Sequence, residues 1–192
     1  MHKNLKIVLL SFLSIFLFSN VGLAQEKIQW LTIEEAEAAT KSEPKKIYVD
    51  FYTSWCGPCK MMSSKTFKNP EVIAYMKAHF YAVKFNAEGK DPVKFSGYDF
   101  TNPNYVEGKS GRNAQHQFAG ALKVNAYPTS TFFSSEIQHL GNAPGYYDAP
   151  KFLQLLKYIN EEAYIGGLSF DEYAAGRTAP STPETPATPS NK

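Results

Sequence analysis

The chain has 192 residues, 43% of them hydrophobic, two cysteines and a formal charge of +2. That balance gives no electrostatic case for nucleic acid, and the cysteine count excludes a disulfide-stapled scaffold. The N-terminus carries His2, Lys3 and Lys6, then the apolar run Ile7 to Phe18, then Gly22 and Ala24 as small residues two apart. This is the order of a secretory signal peptide, with cleavage expected after Ala24. The alternative, an uncleaved anchor, meets a length problem, because a spanning helix needs about 20 apolar residues. No cysteine follows the cleavage site, which argues against a lipid-attached form. Removing Lys3 and Lys6 takes the formal charge to zero. An exported chain of this kind is expected in the periplasm or outside the cell, with the membrane involved only through the cleaved peptide.

"TIEEAEAATKSEP" reads as a short helix, with Thr32 and Glu35 at capping-box spacing. "KKIYVDFYTS" reads as a strand. Its apolar residues fall on both alternating sets, as in a strand covered on both faces. Pro58 suits the first turn of a helix opening at "CGPCKMMSSKTF", and "NPEVIAYMKAHF" resumes helical spacing with Val72, Ile73, Met76 and Phe80 on one side. "FYAVKFNAE" is a second covered strand. Glu88 to Arg112 is a polar, Gly-rich excursion, longer than ordinary connections in compact domains. Its Phe95, Tyr98, Phe100 and Tyr105 either form a partner surface or cover the sheet.

"NAQHQFAGALKV" reads as a helix capped by Asn113, and its His116 as a surface or core residue rather than a ligand. "YPTSTFFSS" is a strand starting after Pro128, and "IQHLGNAPGYY" a short strand with a turn and bulge around Gly141 and Gly145. "DAPKFLQLLKYINEEAYIG" is an amphipathic helix from Asp148 to near Gly166, followed by a capping box at Ser169 and Glu172. Arg177 to Lys192 is Pro, Thr and Ser with no aliphatic side chain larger than Ala, a composition expected to be a disordered tail. The organisation is therefore a signal peptide 1–24, one domain 25–176 and a tail 177–192. The element order demands a parallel pair in front and suggests an antiparallel hairpin behind. That makes an α/β domain, a mixed central β-sheet flanked by helices on both faces.

Cys56 and Cys59 lie two residues apart where the first strand meets a helix. A zinc site needs four ligands, and the four His stand far apart at 2, 79, 116 and 139, so no metal is implied. A redox dithiol fits the position. A thiol at a helix start faces unpaired N–H groups and the positive end of the dipole, which lower its pKa from about 8.5 to somewhere around 3.5–7.5. Cys56, the outer of the two, is then the nucleophile. Cys59, one turn in, resolves the mixed disulfide.

"VDFY" followed by "WCGPCK" resembles the thioredoxin family. The resemblance covers nearly the whole domain and implies the thioredoxin fold. "KMMSSKTFKNPEV" is further similar to the periplasmic thioredoxin-like domain at the C-terminus of the DsbD reductase and to its single-domain relatives. The resemblance implies a buried acid beneath the dithiol that moves a proton to or from the inner cysteine, and Asp50 stands in that position. It places Lys84 beside that acid, and Pro128 as a cis-proline that leaves the backbone of Tyr127 free to pair with an extended substrate. Trp55, Gly57 and Pro58 complete the substrate face, and Gly145 matches a family glycine.

The activity implied is that of an exported thiol–disulfide oxidoreductase without a cofactor, reducing disulfide-containing proteins and fed by a membrane-bound electron donor. Two alternatives stand beside it. One is net disulfide oxidation or isomerisation. The other is a binding or chaperone module in which redox turnover is incidental.

Overall fold

A computed structural model describes residues 27–177. The signal peptide with its cleavage site, and the tail beyond Arg177, lie outside the described residues. Arg177 itself is ion-paired to Glu172 at 2.7 Å.

In chain order the elements are β1 (Trp30–Leu31), α1 (Ile33–Ser42), β2 (Lys46–Tyr52), α2 (Gly57–Ser64), a 3-10 turn (Thr66–Lys68), α3 (Pro70–His79) and β3 (Phe80–Asn86). There follow β4 (Val93–Phe95), β5 (Tyr98–Phe100), α4 (Gln117–Ala121), β6 (Thr129–Phe133), β7 (His139–Pro144), α5 (Ala149–Asn160) and α6 (Phe170–Ala174). Five strands form one sheet in the order β1-β3-β2-β6-β7. β1 and β2 run parallel to β3, while β6 is antiparallel to both β2 and β7. This is the expected mixed sheet, with the thioredoxin-like arrangement of a parallel front half and an antiparallel hairpin behind.

The period of two along β2 explains the layers. Ile47, Val49 and Phe51 face one side, where they join Ile33 and Ala36 of α1 and Phe118 of α4. Tyr48 faces the other, where Met62 of α2, Ile73 and Met76 of α3, and Phe152 and Leu156 of α5 pack. Asp50 shares the parity of Tyr48, so it lies on the face that α2 covers. Both expected capping boxes form, Thr32 with Glu35 and Ser169 with Glu172. No helix among the described residues is long and apolar enough to cross a membrane.

Several elements differ from the expectation. α4 begins at Gln117, and its cap is His116, whose Nδ1 accepts from the Phe118 N–H at 3.1 Å. Asn113 does not cap it. Its Oδ1 accepts from Val106 N–H at 2.9 Å, and its Nδ2 donates to Val106 C=O at 2.8 Å, closing the neck of the excursion instead. α5 ends at Asn160, six residues before Gly166, because the chain turns at Glu162 with φ of 57°. The excursion is not structureless. β4 and β5 form a hairpin around Ser96 and Gly97, both at positive φ, the backbone of a two-residue primed turn. Its aromatics divide: Phe95 and Phe100 pack on Phe118 and cover the sheet, whereas Tyr98 is 69% exposed. The bulge falls where Leu140 is skipped between the pairs Phe132–Gly141 and Phe133–His139.

Phe152 is fully buried, with its ring against Tyr48 and Phe67 at 5.5 and 5.6 Å. Phe152→Ala is expected to cost about 3–5 kcal/mol of stability. The check is the urea unfolding midpoint at an unchanged m value; a loss under about 1 kcal/mol would show that α5 is not integral to this core.

Candidate active site

β2 delivers its C-terminal end to a tight turn. The Cys56 N–H donates to the Thr53 carbonyl at 3.2 Å, and α2 starts at once. Cys56 is the N-cap of α2, with extended φ and ψ of −74° and 104°, and Pro58 lies in the first turn where its missing N–H leaves nothing unpaired. The Cys59 N–H donates to Cys56 Sγ at 3.1 Å. A helix-terminal donor is thus already aimed at that sulfur. The cysteines are disulfide-bonded, with Cα atoms 5.3 Å apart. In this form they are equally buried, Cys56 at 2% and Cys59 at 3% exposure. The expectation that Cys56 is the outer residue is therefore not met by exposure. What separates the two is the cap position, which gives Cys56 alone an N–H directed at its sulfur.

Asp50 and Lys84 are register partners across the parallel β2–β3 pair, so both side chains emerge on the α2 face. Lys84 Nζ lies 2.6 Å from Asp50 Oδ2 and donates also to Ser63 Oγ at 3.0 Å. Ser63 is one turn beyond Cys59, so this lysine ties the acid to the dithiol helix. The rings of Tyr52, Trp30 and Phe67 surround the ammonium at 4.8, 5.0 and 5.3 Å, each within cation–π range. Asp50 Oδ1 is buried and has no hydrogen-bond partner among the described residues. Burial raises the Asp50 carboxyl above its ordinary range, and Lys84 offsets this only in part. A cavity of about 390 Å³, lined by Thr53, Cys59, Lys60, Ser63 and Lys84 among others, places the inner cysteine and the lysine on one opening.

The substrate-face residues also converge. Trp55 meets the Tyr127 ring edge-on at 5.9 Å, and the Tyr127–Pro128 bond is cis. Neither the N–H nor the C=O of Tyr127 has a hydrogen-bond partner among the described residues. Gly145 donates its N–H to the Pro128 carbonyl at 2.8 Å. Gly57 and Pro58 are exposed, and a side chain at Gly57 would meet nothing within 4 Å.

Two residues here carry no signal in the sequence. Glu88 Oε2 accepts from Trp55 Nε1 and from the Asn113 N–H, both at 2.8 Å, and the Arg112 guanidinium stands over the Trp55 ring at 4.4 Å. No hydrophobic period or motif marks either, because both act across distant parts of the chain. His116 proves to be a core residue. It is fully buried between Asp91 C=O and Phe118 N–H, and burial lowers its pKa. Among the described residues no group of three or more His, Cys, Asp or Glu is placed to hold a metal.

A family model described as a thioredoxin-like domain matches residues 33–160. The thiol:disulfide interchange protein DsbD of Photorhabdus laumondii is 24% identical over 132 residues, which is 68% of this chain and 19% of that protein. Thioredoxin-1 of Saccharomyces cerevisiae is 38% identical over 61 residues, 32% of this chain and 56% of that one. The chain thus spans about a fifth of the first relative and just over half of the second. Among solved structures, a DsbH oxidoreductase superposes with a TM-score of 0.53 at 19% identity, covering 74% of this chain and 91% of its own. A thioredoxin-fold protein from Helicobacter pylori gives 0.53 at 17% identity, covering 81% and 89%. At these identities the two structures show the shared fold.

The raised Asp50 carboxyl makes a prediction with a definite sign. Between the ordinary carboxylate value and the raised one, the unfolded chain has lost its proton while the folded chain keeps it. Stability therefore falls as pH rises through that window. Asp50→Asn lacks this loss, and the offset from leaving Lys84 without its partner is constant there. Urea unfolding of both proteins from about pH 4 to about pH 8 is expected to show the wild type losing stability relative to Asp50→Asn. Parallel curves would show an ordinary carboxylate.

Proposed function

The chain belongs to the thioredoxin-like domain family, and from that premise we propose that it is an exported thiol–disulfide oxidoreductase that reduces protein disulfides. The observation that carries this reading is the Cys56–Cys59 disulfide at a helix N-cap, above the buried Asp50 and its partner Lys84. In the reduced protein the Cys56 thiolate, stabilised by the Cys59 N–H and the helix dipole, attacks one sulfur of a substrate disulfide. That S–S bond breaks, the other substrate sulfur leaves as a thiolate and is protonated, and a mixed disulfide forms. Cys59 gives its proton to Asp50, whose affinity for a proton is raised by burial. The Cys59 thiolate then displaces the substrate from Cys56. The intramolecular disulfide re-forms and the reduced substrate departs.

Docking follows from Tyr127. Its unpaired backbone groups beside Pro128 offer an edge for an extended substrate segment, which adds like a strand. The open space over Gly57 lets that segment approach the disulfide. Trp55, Pro58 and Pro128 frame the same face. The signal-peptide pattern at residues 1–24 supports a periplasmic or secreted location for the 25–176 domain, and the DsbD relative supports exchange with partner thiols. Outside the cytosol the dithiol needs a source of electrons, and a membrane-embedded donor supplies them in this account.

Cys59→Ser is expected to accumulate disulfide-linked complexes through Cys56, and Cys56→Ser far fewer, on non-reducing gels of cells expressing each variant. Equal trapping by both variants would overturn the assignment of roles, and a native pair that rests fully oxidised would overturn the reductive direction.

A further inference from the structure

The excursion 88–112 ends on the active-site face. Glu88 Oε2 accepts from Trp55 Nε1 and from the Asn113 N–H, so the residue before Cys56 and the residue after Arg112 hang on one carboxylate oxygen. Asn113 pins Val106 through both of its backbone groups, which closes the neck of the loop that carries Arg112. The guanidinium is thereby held over the Trp55 ring at 4.4 Å, while Tyr127 meets the same ring edge-on.

Stacking uses the face of a guanidinium and leaves its N–H fork free. Arg112 makes no hydrogen bond or ion pair within the described residues, and its side chain is exposed. Two other cations of the excursion are paired, Lys90 with Glu107 at 3.0 Å and Lys94 with Asp99 at 3.7 Å. Lys60, exposed and next to Cys59, likewise makes no ion pair among the described residues. Glu88, the acid beside Trp55, already accepts two N–H groups through Oε2. The face beside the dithiol thus presents a pre-positioned cationic fork next to the open backbone of Tyr127.

We propose that Arg112 is a specificity-determining residue that selects protein segments carrying an Asp or Glu close to the cysteine to be reduced. The fork would receive the carboxylate while the segment pairs with Tyr127. This inference rests on the oxidoreductase reading and adds to it the chemistry of the substrate.

The test uses two synthetic peptide disulfides that differ only in having Glu or Gln beside the cysteine, each reduced stoichiometrically by the pre-reduced protein at low salt. The wild type is expected to react with the Glu peptide about threefold to fivefold faster, the size of one exposed ion pair, and added salt should shrink that preference. Arg112→Ala is expected to bring the ratio near one, and Arg112→Glu to reverse it. Lys109→Ala, an exposed cation elsewhere on the same loop, should keep the wild-type ratio. A ratio that survives Arg112→Glu, or that Lys109→Ala abolishes equally, overturns the proposal while leaving the oxidoreductase reading intact. A wild type that reduces neither peptide overturns both.

Discussion

The arrangement depends on one ion pair, between the buried Asp50 and the half-buried Lys84. Asp50 lies within a strand covered on both faces, at 1% exposure, where an isolated carboxylate would cost several kcal/mol. The parallel register of β2 and β3 brings Lys84 directly alongside, and three aromatic rings hold the ammonium in place. The compensation is incomplete. One carboxylate oxygen has no partner among the described residues and the group stays hard to ionise. An acid left in that condition under a helix that starts with a cysteine pair is a stability liability, and a raised affinity for a proton is what the proposed chemistry requires of it.

The second organising contact is the tryptophan before the dithiol. Glu88 fixes Trp55 through its ring N–H and fixes the return of the excursion through Asn113. The long insertion is therefore integral to the active-site face. Its inner aromatics, Phe95 and Phe100, complete the core over Phe118, and its closing end sets Arg112 on Trp55. One segment thus joins the packing of the sheet to the surface on which a partner would dock.

Much of this was legible in the sequence, and for local reasons. β2 shows as a run of covered residues, the capping boxes of α1 and α6 are four-residue patterns, and Pro58 between two cysteines marks a helix start. The cis bond before Pro128 and the Asp50–Lys84 pairing came through family resemblance, and the structure brings those residues together. What was not legible is either too short or too distant for a pattern. β1 is two residues long and has no period to detect. Asn113 looked like a cap because its side chain can serve as one, but tertiary contacts to Val106 took it, and His116 assumed the role. The Ser96–Gly97 turn was open to discovery from the turn chemistry alone. Glu88 and Arg112 were not, since their meaning lies in where Trp55 ends up.

The central claim is that Cys56, by its place at the head of α2, is the reacting sulfur, although both cysteines are equally buried when bonded. The direct measurement is brief alkylation of the reduced protein near neutral pH with limiting reagent, followed by peptide mapping. The account predicts label on Cys56 with Cys59 largely unmodified; preferential or equal labelling of Cys59 would contradict it.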